Sequence, residues 1–320
     1  MPIKTLIAGG AGYLGLMLVK TLLNSGRTVT VLDSLLHRQE PALDEGPSLA
    51  FVKGDIRDIS LVRWYMKDHD EAVLLASLVG EAACSRDPGQ TLEVNCLAPL
   101  NFAETAARTQ VKRLIFASTD SCYGQRENER LTEASPLAPL SLYARYKAEV
   151  EDALRRDFRR SPLAVTILRL ATLYGLSPRM RFDLALNLLT REAAINKKIQ
   201  IFSGEQWRPF IHTSDAARAF QLALDAPPEL TAGEIFNAGS NEQNIQFRDL
   251  GRLLAQLIPG TKVETVPQNP DLRDYYVSFD KIHKVLGFEP QFTPAMGISE
   301  IQRALESGLF PDPYAPSLVN

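Results

Sequence analysis

The chain has 320 residues, 45% of them hydrophobic and 23% charged, which is the composition of a globular protein with room for one large or two unequal domains. The net charge of −3 and the lack of a basic stripe argue against a nucleic-acid partner. No apolar run approaches the ~20 residues that cross a bilayer, and Met1 to Lys4 lead directly into an apolar run, so neither a membrane span nor a signal peptide is expected. The three cysteines, Cys84, Cys96 and Cys122, fit neither a metal site nor a disulfide framework, and we expect a soluble cytoplasmic protein.

The first predicted elements are a strand, a glycine-rich turn and a helix. Residues 3–8 form a short apolar run typical of buried parallel strands, and residues 13–24 have an amphipathic helical pattern. Glycines between them permit a tight turn and let a pyrophosphate approach the backbone N–H groups at the helix start. The residues predicted to contact a dinucleotide here are Gly9, Gly12, Tyr13, Leu14 and Gly15.

The next predicted strand, residues 28–32, ends in Asp33. A carboxylate at this strand end accepts hydrogen bonds from the adenosine ribose hydroxyls and repels a 2′-phosphate. The succession of strand, glycine turn, helix, strand and acid therefore favours a dinucleotide site over a surface turn followed by a surface aspartate.

Strands and helices go on alternating in the first half of the chain. A long helix is predicted over residues 90–109, and further strands over residues 50–52, 73–77, 112–117 and, as the last of the sheet, 165–169. This alternation predicts an α/β fold with a doubly wound parallel sheet of the Rossmann type.

Ligands of such sheets bind at the carboxyl ends of the strands. The residues that lie at or just beyond the predicted ends are Gly9, Asp33, Ser77, Thr119 and Tyr143. The loop after residues 50–52 brings Asp55 and Ile56 to where an adenine would lie. This convergence predicts an active site at one edge of the sheet.

A Tyr and a Lys lie one turn apart in a segment predicted to be helical from Ser141 to Leu154. At this spacing Tyr143 and Lys147 leave the same helix face. Because a nearby ammonium stabilises a phenolate, we expect Lys147 to lower the pKa of Tyr143 and to make the phenol an acid or base near neutral pH. The spacing alone also suits an aromatic ring packed under a solvated Lys, and the neighbouring motifs favour the catalytic interpretation.

Taken together, these motifs resemble the extended short-chain dehydrogenase/reductases, in their NAD-dependent nucleotide-sugar epimerase/dehydratase branch. The resemblance covers nearly the whole chain. It rests on the glycine turn, Asp33, Gly54-Asp55, Asn95, Ser118-Thr119 with Tyr123-Gly124, and Tyr143 with Lys147.

The resemblance implies a role for each matching residue. In that family the residue matching Tyr143 is the catalytic acid/base, and the one matching Lys147 holds the nicotinamide ribose. The hydroxyl matching Thr119 hydrogen-bonds the reacting sugar hydroxyl. Asp33 implies NAD rather than NADP as the cofactor, and Asn95 is placed with the cofactor-binding residues.

One departure from the family pattern concerns the chemistry. The run Ser118-Thr119-Asp120-Ser121 resembles the Ser-Thr-Asp-Glu run of the sugar 4,6-dehydratases, which use the Asp as acid and the Glu as base. Ser121 has no proton affinity to replace that Glu, whereas Asp120 can still assist a proton transfer. Glu81 is the nearest other carboxylate in a loop expected on the substrate side.

The pattern changes after Tyr174-Gly175, where segments shorten and Pro and polar residues increase. The resemblance implies that residues 1–173 form an NAD-binding Rossmann domain, to which later segments return. Residues 174–320 are expected to form mainly a smaller, C-terminal substrate-binding lobe.

The second half contains basic clusters that suit a diphosphate. The clusters are Arg179-Met180-Arg181 and the segments around Arg208 and Arg273. A guanidinium binds a pair of phosphate oxygens, and Arg208 and Arg273 match the family's diphosphate-binding arginines. Asn187 matches an asparagine that contacts substrate. For His212, a structural hydrogen bond is at least as compatible with the sequence as a chemical role.

The favoured function is NAD-dependent oxidoreduction at C4 of a nucleoside-diphosphate sugar. Return of the hydride to the other face of the keto sugar would make the enzyme a 4-epimerase, and release of the keto sugar would make it a 4-dehydrogenase or, in reverse, a 4-ketoreductase. These outcomes depend on pocket shape and release rather than on different catalytic residues. The alternatives are a 4,6-dehydratase and a non-catalytic dinucleotide-sensing protein.

The resemblance also implies a homodimer held by a four-helix bundle. One of its helices would come from the predicted helix at residues 90–109 and the other would carry Tyr143 and Lys147. The apolar residues expected to meet the partner are Leu97, Leu100, Phe102, Ala103, Ala106 and Ala107. The alternative is that these side chains only pack on the protein's own sheet.

Overall fold

The computed structural model of the chain describes residues 2–36, 45–267 and 271–320. The strands are β1 (Lys4–Ala8), β2 (Thr28–Asp33), β3 (Leu49–Lys53), β4 (Glu71–Leu74), β5 (Arg113–Thr119), β6 (Gln125–Leu131), β7 (Ala164–Leu170), β8 (Thr172–Tyr174), β9 (Lys198–Phe202), β10 (Trp207–His212), β11 (Ile235–Ala238), β12 (Asn244–Gln246), β13 (Lys262–Val266) and β14 (Asp274–Val277). The α-helices are α1 (Tyr13–Asn24), α2 (Ile59–Met66), α3 (Glu81–Arg86), α4 (Pro88–Leu92), α5 (Ala98–Ala107), α6 (Leu142–Asp157), α7 (Ala185–Asn196), α8 (Thr213–Asp225), α9 (Pro228–Thr231), α10 (Phe247–Leu257), α11 (Asp280–Leu286) and α12 (Pro294–Glu306). No helix in these ranges is long and apolar enough to cross a bilayer.

Seven strands form the main sheet in the order β11-β7-β5-β4-β1-β2-β3, and all its pairings are parallel. This confirms the predicted α/β, doubly wound architecture. The strand predicted at residues 165–169 is not the last of the sheet, because β11 pairs with β7 and places Ile235 opposite Ile167. β11 follows a long excursion of the chain, and a run of only four residues carries too little pattern to be placed in advance.

Helices cover both faces of this sheet, so neighbouring residues of a strand are buried in different clusters. In β1, Leu6 packs with α2, α5 and α6 on one face, and Ile7 packs with α1 and α8 on the other. Both side chains are fully buried. This is why the strands read as continuous apolar runs rather than as an alternation.

The chain beyond β8 builds a second cluster of secondary structure beside the sheet. It contains a three-stranded sheet in the order β12-β10-β8 and the parallel pair β9 and β13. Its own apolar cluster is formed by α7, α10 and α12 and includes Leu186, Leu254 and Ile298. The division of the chain at residue 173 into two domains stays a prediction.

The long helix predicted over residues 90–109 is interrupted. Between α4 and α5 the chain forms one π-helical turn, Glu93–Leu97, in which the Ala98 N–H donates to the Glu93 carbonyl. Pro99 follows in the first turn of α5 and has no N–H for the regular helical bond to residue 95. A π-turn at such a place often marks a functional site.

The apolar residues of this segment do not share one surface. Phe102, Ala103 and Ala106 are buried against the protein's own sheet, so the expectation that they meet a partner is wrong for these three. Leu97 is 48% exposed. Leu100 and Ala107 are partly buried at the edge of the same cluster.

Candidate active site

A cavity of about 640 Å³ runs along the carboxyl edge of the main sheet and is bounded on its other side by the second half of the chain. The sequence-predicted residues that line it are Gly9, Gly12, Tyr13, Leu14, Gly15, Asp33, Asp55, Ile56, Ser77, Thr119, Asp120, Tyr143, Lys147, Arg208 and Arg273. Residues from the ends of β1, β2 and β5 and from the start of α6 thus meet in one groove. Glu81 was also considered from sequence, but its side chain lies outside the described residues.

The glycine turn between β1 and α1 lines the cavity. Gly9 has φ of +84°, and a Cβ there would lie 2.5 Å from the Ala76 nitrogen. A Cβ on Gly15 would lie 2.4 Å from the Gly9 carbonyl oxygen. Only glycine fits at either position, and no side chain caps the N-terminus of α1. The N–H groups at that terminus therefore fit the pyrophosphate of a dinucleotide.

Asp33 faces this turn from the end of β2. Its Oδ2 accepts a hydrogen bond from the Ala11 N–H at 3.0 Å, and its Oδ1 accepts one from the Leu35 N–H at 2.9 Å. Burial raises the pKa of the carboxyl above its usual value. Next along the groove, Arg57 forms an ion pair with Asp55 at 2.8 Å and lowers the pKa of that carboxyl. These acids occupy the end of the cavity where the adenosine half of a dinucleotide would lie.

Tyr143 and Lys147 enter the cavity from the first two turns of α6. The helix begins after Ser141, whose hydroxyl accepts from the Ala144 N–H at 3.2 Å and caps the helix. The Lys147 Nζ donates to the Ala117 carbonyl at 2.9 Å and lies 5.8 Å from the centre of the Tyr143 ring. The two side chains therefore share one helix face, as their spacing predicted.

Burial controls the protonation of both groups. It lowers the pKa of Lys147 to about 8 and raises the pKa of Tyr143 above its usual value. The net shift of the phenol pKa is therefore upward, because burial is the largest influence on it, and the effect of Lys147 on that pKa stays a prediction. The sequence shows that a Lys is near, but it does not show how much water the folded chain removes.

A buried polar network fixes α6 on the sheet below these residues. Arg169 of β7 forms an ion pair with Glu151 of α6 at 2.6 Å, and both are almost fully buried. Ser118 of β5 also donates a short hydrogen bond to Glu151. Glu151 lies one turn beyond Lys147, so the network sets the height of the catalytic helix face above the strand that ends in Thr119.

Thr119, Asp120 and Ser121 follow one another at the end of β5. The Thr119 hydroxyl accepts from the Ser121 N–H at 3.1 Å. The Asp120 Oδ1 accepts from the Tyr275 hydroxyl at 3.2 Å, while its Oδ2 is buried and without a partner among the described protein atoms. Burial raises the pKa of Asp120 to about 7. A carboxyl in this state can give or take a proton near neutral pH.

Arg208 and Arg273 both line the cavity. Asp271 lies between them, at 3.1 Å from Arg208 Nη2 and 2.6 Å from Arg273 Nη2. The Arg208 Nη1 is buried and makes no hydrogen bond to the described protein atoms. A diphosphate suits this pair of guanidinium groups, and Asp271 orients both of them.

Two predicted contact residues lie outside the cavity lining. Asn95, in the π-turn, is fully buried, and its amide bonds to the Leu78 N–H and carbonyl at 2.8 Å each and accepts from the Ser77 hydroxyl at 2.9 Å. Asn95 therefore fixes the loop that lines the groove and does not itself line the groove. Asn187 is also fully buried, and it binds the Gly175 N–H at 3.0 Å and the Tyr13 hydroxyl at 3.0 Å. Its bonds favour a structural role over substrate contact.

His212 is likewise a structural residue in this geometry. Its Nδ1 accepts from the Ser214 N–H at 3.2 Å, so its Nε2 carries the proton and donates to Glu300 at 2.7 Å. The ring stacks on Phe292 with 4.0 Å between ring centres. These contacts account for both ring nitrogens.

Tyr275 and Asp271 were not singled out from the sequence, although both contact the chemistry-bearing residues. Tyr275 is buried, bonds to Asp120 and lies 3.4 Å from the Ser121 hydroxyl. The only signal was their place on either side of Arg273, since nothing in a single sequence joins residue 275 to residue 120.

The fold and the cavity are those of a dinucleotide-binding protein in which a Tyr and a Lys of one helix face line the groove. In agreement, the chain matches the NAD dependent epimerase/dehydratase family over residues 5–239 and belongs to that family. It is 30% identical to a dTDP-glucose 4,6-dehydratase of Streptomyces niveus, over 93% of this chain and 91% of the relative. It is 27% identical to a UDP-glucose 4-epimerase of Streptococcus mutans, over 90% and 92%.

A solved structure shares the architecture. The dTDP-glucose 4,6-dehydratase DesIV of Streptomyces venezuelae, with NAD bound, superimposes with a TM-score of 0.84 at 29% identity, over 97% of this chain and 99% of that one. These findings confirm the predicted family, the NAD cofactor and an enzyme of the extended short-chain dehydrogenase/reductase type. The alternative of a non-catalytic sensor is not supported.

Proposed function

We propose that the protein catalyses NAD-dependent oxidoreduction at C4 of a nucleoside-diphosphate sugar, as a 4-epimerase or as a 4-dehydrogenase or 4-ketoreductase. The relatives named for UDP-glucose and dTDP-glucose support this class of substrate. The cavity supports it as well, since it joins a dinucleotide end to a pair of arginines suited to a second diphosphate.

The dinucleotide, when bound, supplies the hydride acceptor. Its pyrophosphate would lie on the N–H groups at the start of α1, and its adenosine ribose would bond to Asp33. Asp55 and Ile56 border the adenine end, and Ser77 borders the groove on the side of β4. These contacts orient the cofactor toward the end of β5.

Tyr143 handles the proton of the C4 hydroxyl. Burial keeps its phenol protonated, so it is ready to return a proton to the C4 oxygen in the reductive direction. In the oxidative direction the phenol must lose its proton, and Lys147 supplies a positive charge beside the phenolate. Thr119 orients the C4 hydroxyl. Lys147 has donors left for the nicotinamide ribose after its bond to the Ala117 carbonyl.

Arg208 and Arg273 bind the diphosphate of the sugar nucleotide. Both line the cavity, close enough to Asp120 to act on its carboxyl electrostatically. The Nη1 of Arg208 is buried and has no hydrogen-bond partner among the described atoms, so a phosphate oxygen that reached it would satisfy this donor with a charge-assisted bond.

The observation that favours C4 oxidoreduction over dehydration is the hydroxyl of Ser121, which lies beside Asp120 where the resemblance places the dehydratases' Glu. Its hydroxyl contacts the Tyr275 hydroxyl and offers no base for the C5 proton. One observation favours the alternative of 4,6-dehydration. Asp120 is a buried carboxyl with a pKa of about 7, which suits the acid that protonates a leaving hydroxyl.

Incubation of the protein with UDP-, dTDP-, GDP- and CDP-hexoses tests the proposal, with chromatographic separation of epimeric sugars, mass spectrometry and NADH absorbance as the readouts. We expect an epimer of unchanged mass or a 4-keto sugar lighter by two hydrogens. A product lighter by one water would contradict it and establish the dehydratase alternative. The Tyr143→Phe protein serves as the inactive control for background reactions.

We further propose that the protein is a homodimer. Leu92 is 37% exposed and Leu97 is 48% exposed, and both lie on the segment from α4 to α5 beside α6. Exposed leucines on adjoining helices support a helical interface with a second copy.

Location in the cytoplasm is the companion proposal, supported by three buried cysteines without disulfides.

A further inference from the structure

The first of the basic clusters, Arg179-Met180-Arg181, has no part in the function proposed above. It ends a segment that starts at Gly175 and crosses the glycine turn. The Tyr13 hydroxyl donates to the Gly175 carbonyl at 2.6 Å, and the Ser177 hydroxyl donates to the Tyr13 carbonyl at 2.7 Å. Two hydrogen bonds therefore fasten this segment on the first turn of α1.

Arg179 lies at the end of this fastened segment and lines the same cavity as the glycine turn and Asp33. It is only 6% exposed. Its guanidinium donates a short hydrogen bond to the side chain of Asn320, which is neutral. Asp33 is near enough to interact electrostatically, but within the described ranges Arg179 forms no ion pair with a carboxylate.

The other buried arginines of the described chain differ in this respect. Each forms an ion pair with a carboxylate, at distances between 2.6 and 3.1 Å: Arg27 with Glu71, Arg169 with Glu151, Arg191 with Glu192, and Arg208 with Asp271. Burial and the nearby guanidinium of Arg181 lower the pKa of Arg179 to about 10, and the more distant carboxylates of Asp183 and Asp33 offset this only in part. A buried cation without a directly paired carboxylate is costly, so the cavity favours an anionic ligand at this point.

We propose that Arg179 binds the pyrophosphate of the dinucleotide from the side opposite the glycine turn. The inference rests on the dinucleotide site described above and adds a residue of the second half of the chain to it. The backbone N–H groups of α1 approach the pyrophosphate from one side, and the guanidinium supplies the full positive charge that they lack. Asp33 makes a 2′-phosphate an unfavourable partner here, and the substrate diphosphate has Arg208 and Arg273.

Calorimetric titration of the full chain, freed of any co-purified dinucleotide, with ADP, adenosine, NAD⁺, NADP⁺ and UDP tests this assignment. Arg179→Gln should weaken ADP and NAD⁺ by about 10- to 100-fold, as expected for a lost charge-assisted hydrogen-bond pair. Adenosine affinity should stay within about twofold, since adenosine has no phosphate. Arg179→Lys keeps the charge and should recover part of the ADP affinity, which also guards against a variant that fails to fold.

Two control variants separate anion binding from support of the surrounding chain. Arg191 is equally buried, contacts the C-terminal segment through Pro313 and Tyr314, and does not line the cavity. Arg191→Gln should leave ADP affinity unchanged. Asn320→Ala removes the hydrogen-bond partner of Arg179 and should weaken ADP by about threefold at most.

Several results would overturn the assignment of Arg179. Equal losses of ADP and adenosine, or equal losses in Arg179→Gln and Asn320→Ala, would show a structural role. A loss confined to NADP⁺ would assign Arg179 to a 2′-phosphate, and a loss confined to UDP would assign it to the substrate. Failure of the unaltered protein to bind ADP at all would instead count against the dinucleotide site itself, so the two failures are distinguishable.

Discussion

Three titratable side chains at the end of β5 and the start of α6 are all shifted toward their uncharged forms. Burial lowers the pKa of Lys147 to about 8, raises that of Asp120 to about 7 and raises that of Tyr143. The common cause is removal of water from charged groups. Proton transfers in this cavity therefore need little reorganisation of solvent, which suits a reaction that makes and consumes a ketone.

Tyr143→Phe removes the hydroxyl that transfers the proton and leaves the ring in place. We expect turnover to fall by at least about 10²- to 10⁴-fold, the usual contribution of a general acid–base group. NAD⁺ affinity should change little, because the glycine turn and Asp33 hold the cofactor. Steady-state kinetics and calorimetry of the same preparation measure both effects.

Tyr146→Phe is the matched control for that variant. Tyr146 lies on the same helix, but its side chain packs against the apolar cluster between α6 and the sheet and does not line the cavity. Its loss should leave turnover near that of the unaltered protein. Near-normal activity of Tyr143→Phe would show that the catalytic assignment is mistaken.

Asp120→Asn should change the pH dependence of stability. The folded-state pKa of Asp120, about 7, is above the usual value of about 4. Between these two pH values the folded protein therefore holds the Asp120 proton while the unfolded chain releases it. The contribution of this carboxyl to the unfolding free energy is full below about pH 4 and is lost as the pH rises through 7. Asparagine is always neutral. The unfolding free energy of the variant, measured relative to the unaltered protein, should therefore be about 1–3 kcal/mol more favourable at pH 8 than at pH 5.

Thermal melts of both proteins at pH 5 and pH 8 measure this change. The difference in Tm between variant and unaltered protein should rise by a few degrees toward pH 8. Asp152→Asn, at an exposed position of α6, should show no such trend. If the Tm of Asp120→Asn instead fell relative to the unaltered protein as the pH rises, Asp120 would be ionised in the folded protein.

At the scale of elements, the π-turn between α4 and α5 positions one wall of the groove. Asn95 lies in this π-turn, and its side chain reaches the loop after β4. It then binds both main-chain groups of Leu78. A regular helix through the same residues would need an N–H at Pro99, which proline lacks.

Asn95→Ala should therefore loosen that wall as well as destabilise the protein. We expect a loss of about 2–4 kcal/mol of unfolding free energy, because buried main-chain groups lose their partners. NAD⁺ affinity should fall as a consequence of the moved loop. Denaturant unfolding and calorimetry measure the two losses, and Asn101→Ala, at an exposed site of α5, provides the comparison. Unchanged stability would rule out this role for Asn95.

At the scale of the whole molecule, the proposed homodimer gives a direct test. Leu97→Glu places a charge in the proposed helical interface and should convert a dimer to a monomer in light scattering at micromolar concentration. Leu230→Glu changes a leucine of similar exposure, 45%, on α9 and should leave the dimer intact. An unaltered protein that is monomeric would contradict the proposal outright.

The sequence by itself determined the parts of this protein that are local. The glycine turn, the acid at the end of β2 and the Tyr143–Lys147 pair each lie within one strand, turn or helix, so their patterns follow from backbone geometry and helical periodicity. The succession of strands and helices likewise predicted a doubly wound sheet. The cavity accordingly brings most of the predicted residues together.

Only the tertiary structure decided how distant segments meet. It joined β11 to the sheet, turned Asn95 and Asn187 inward and brought Tyr275 to Asp120. It also partly buried Tyr143, and the pKa of its phenol is raised rather than lowered. Contacts across long loops and the burial of a charge depend on what the whole chain packs around a residue, and no short window of sequence contains that information.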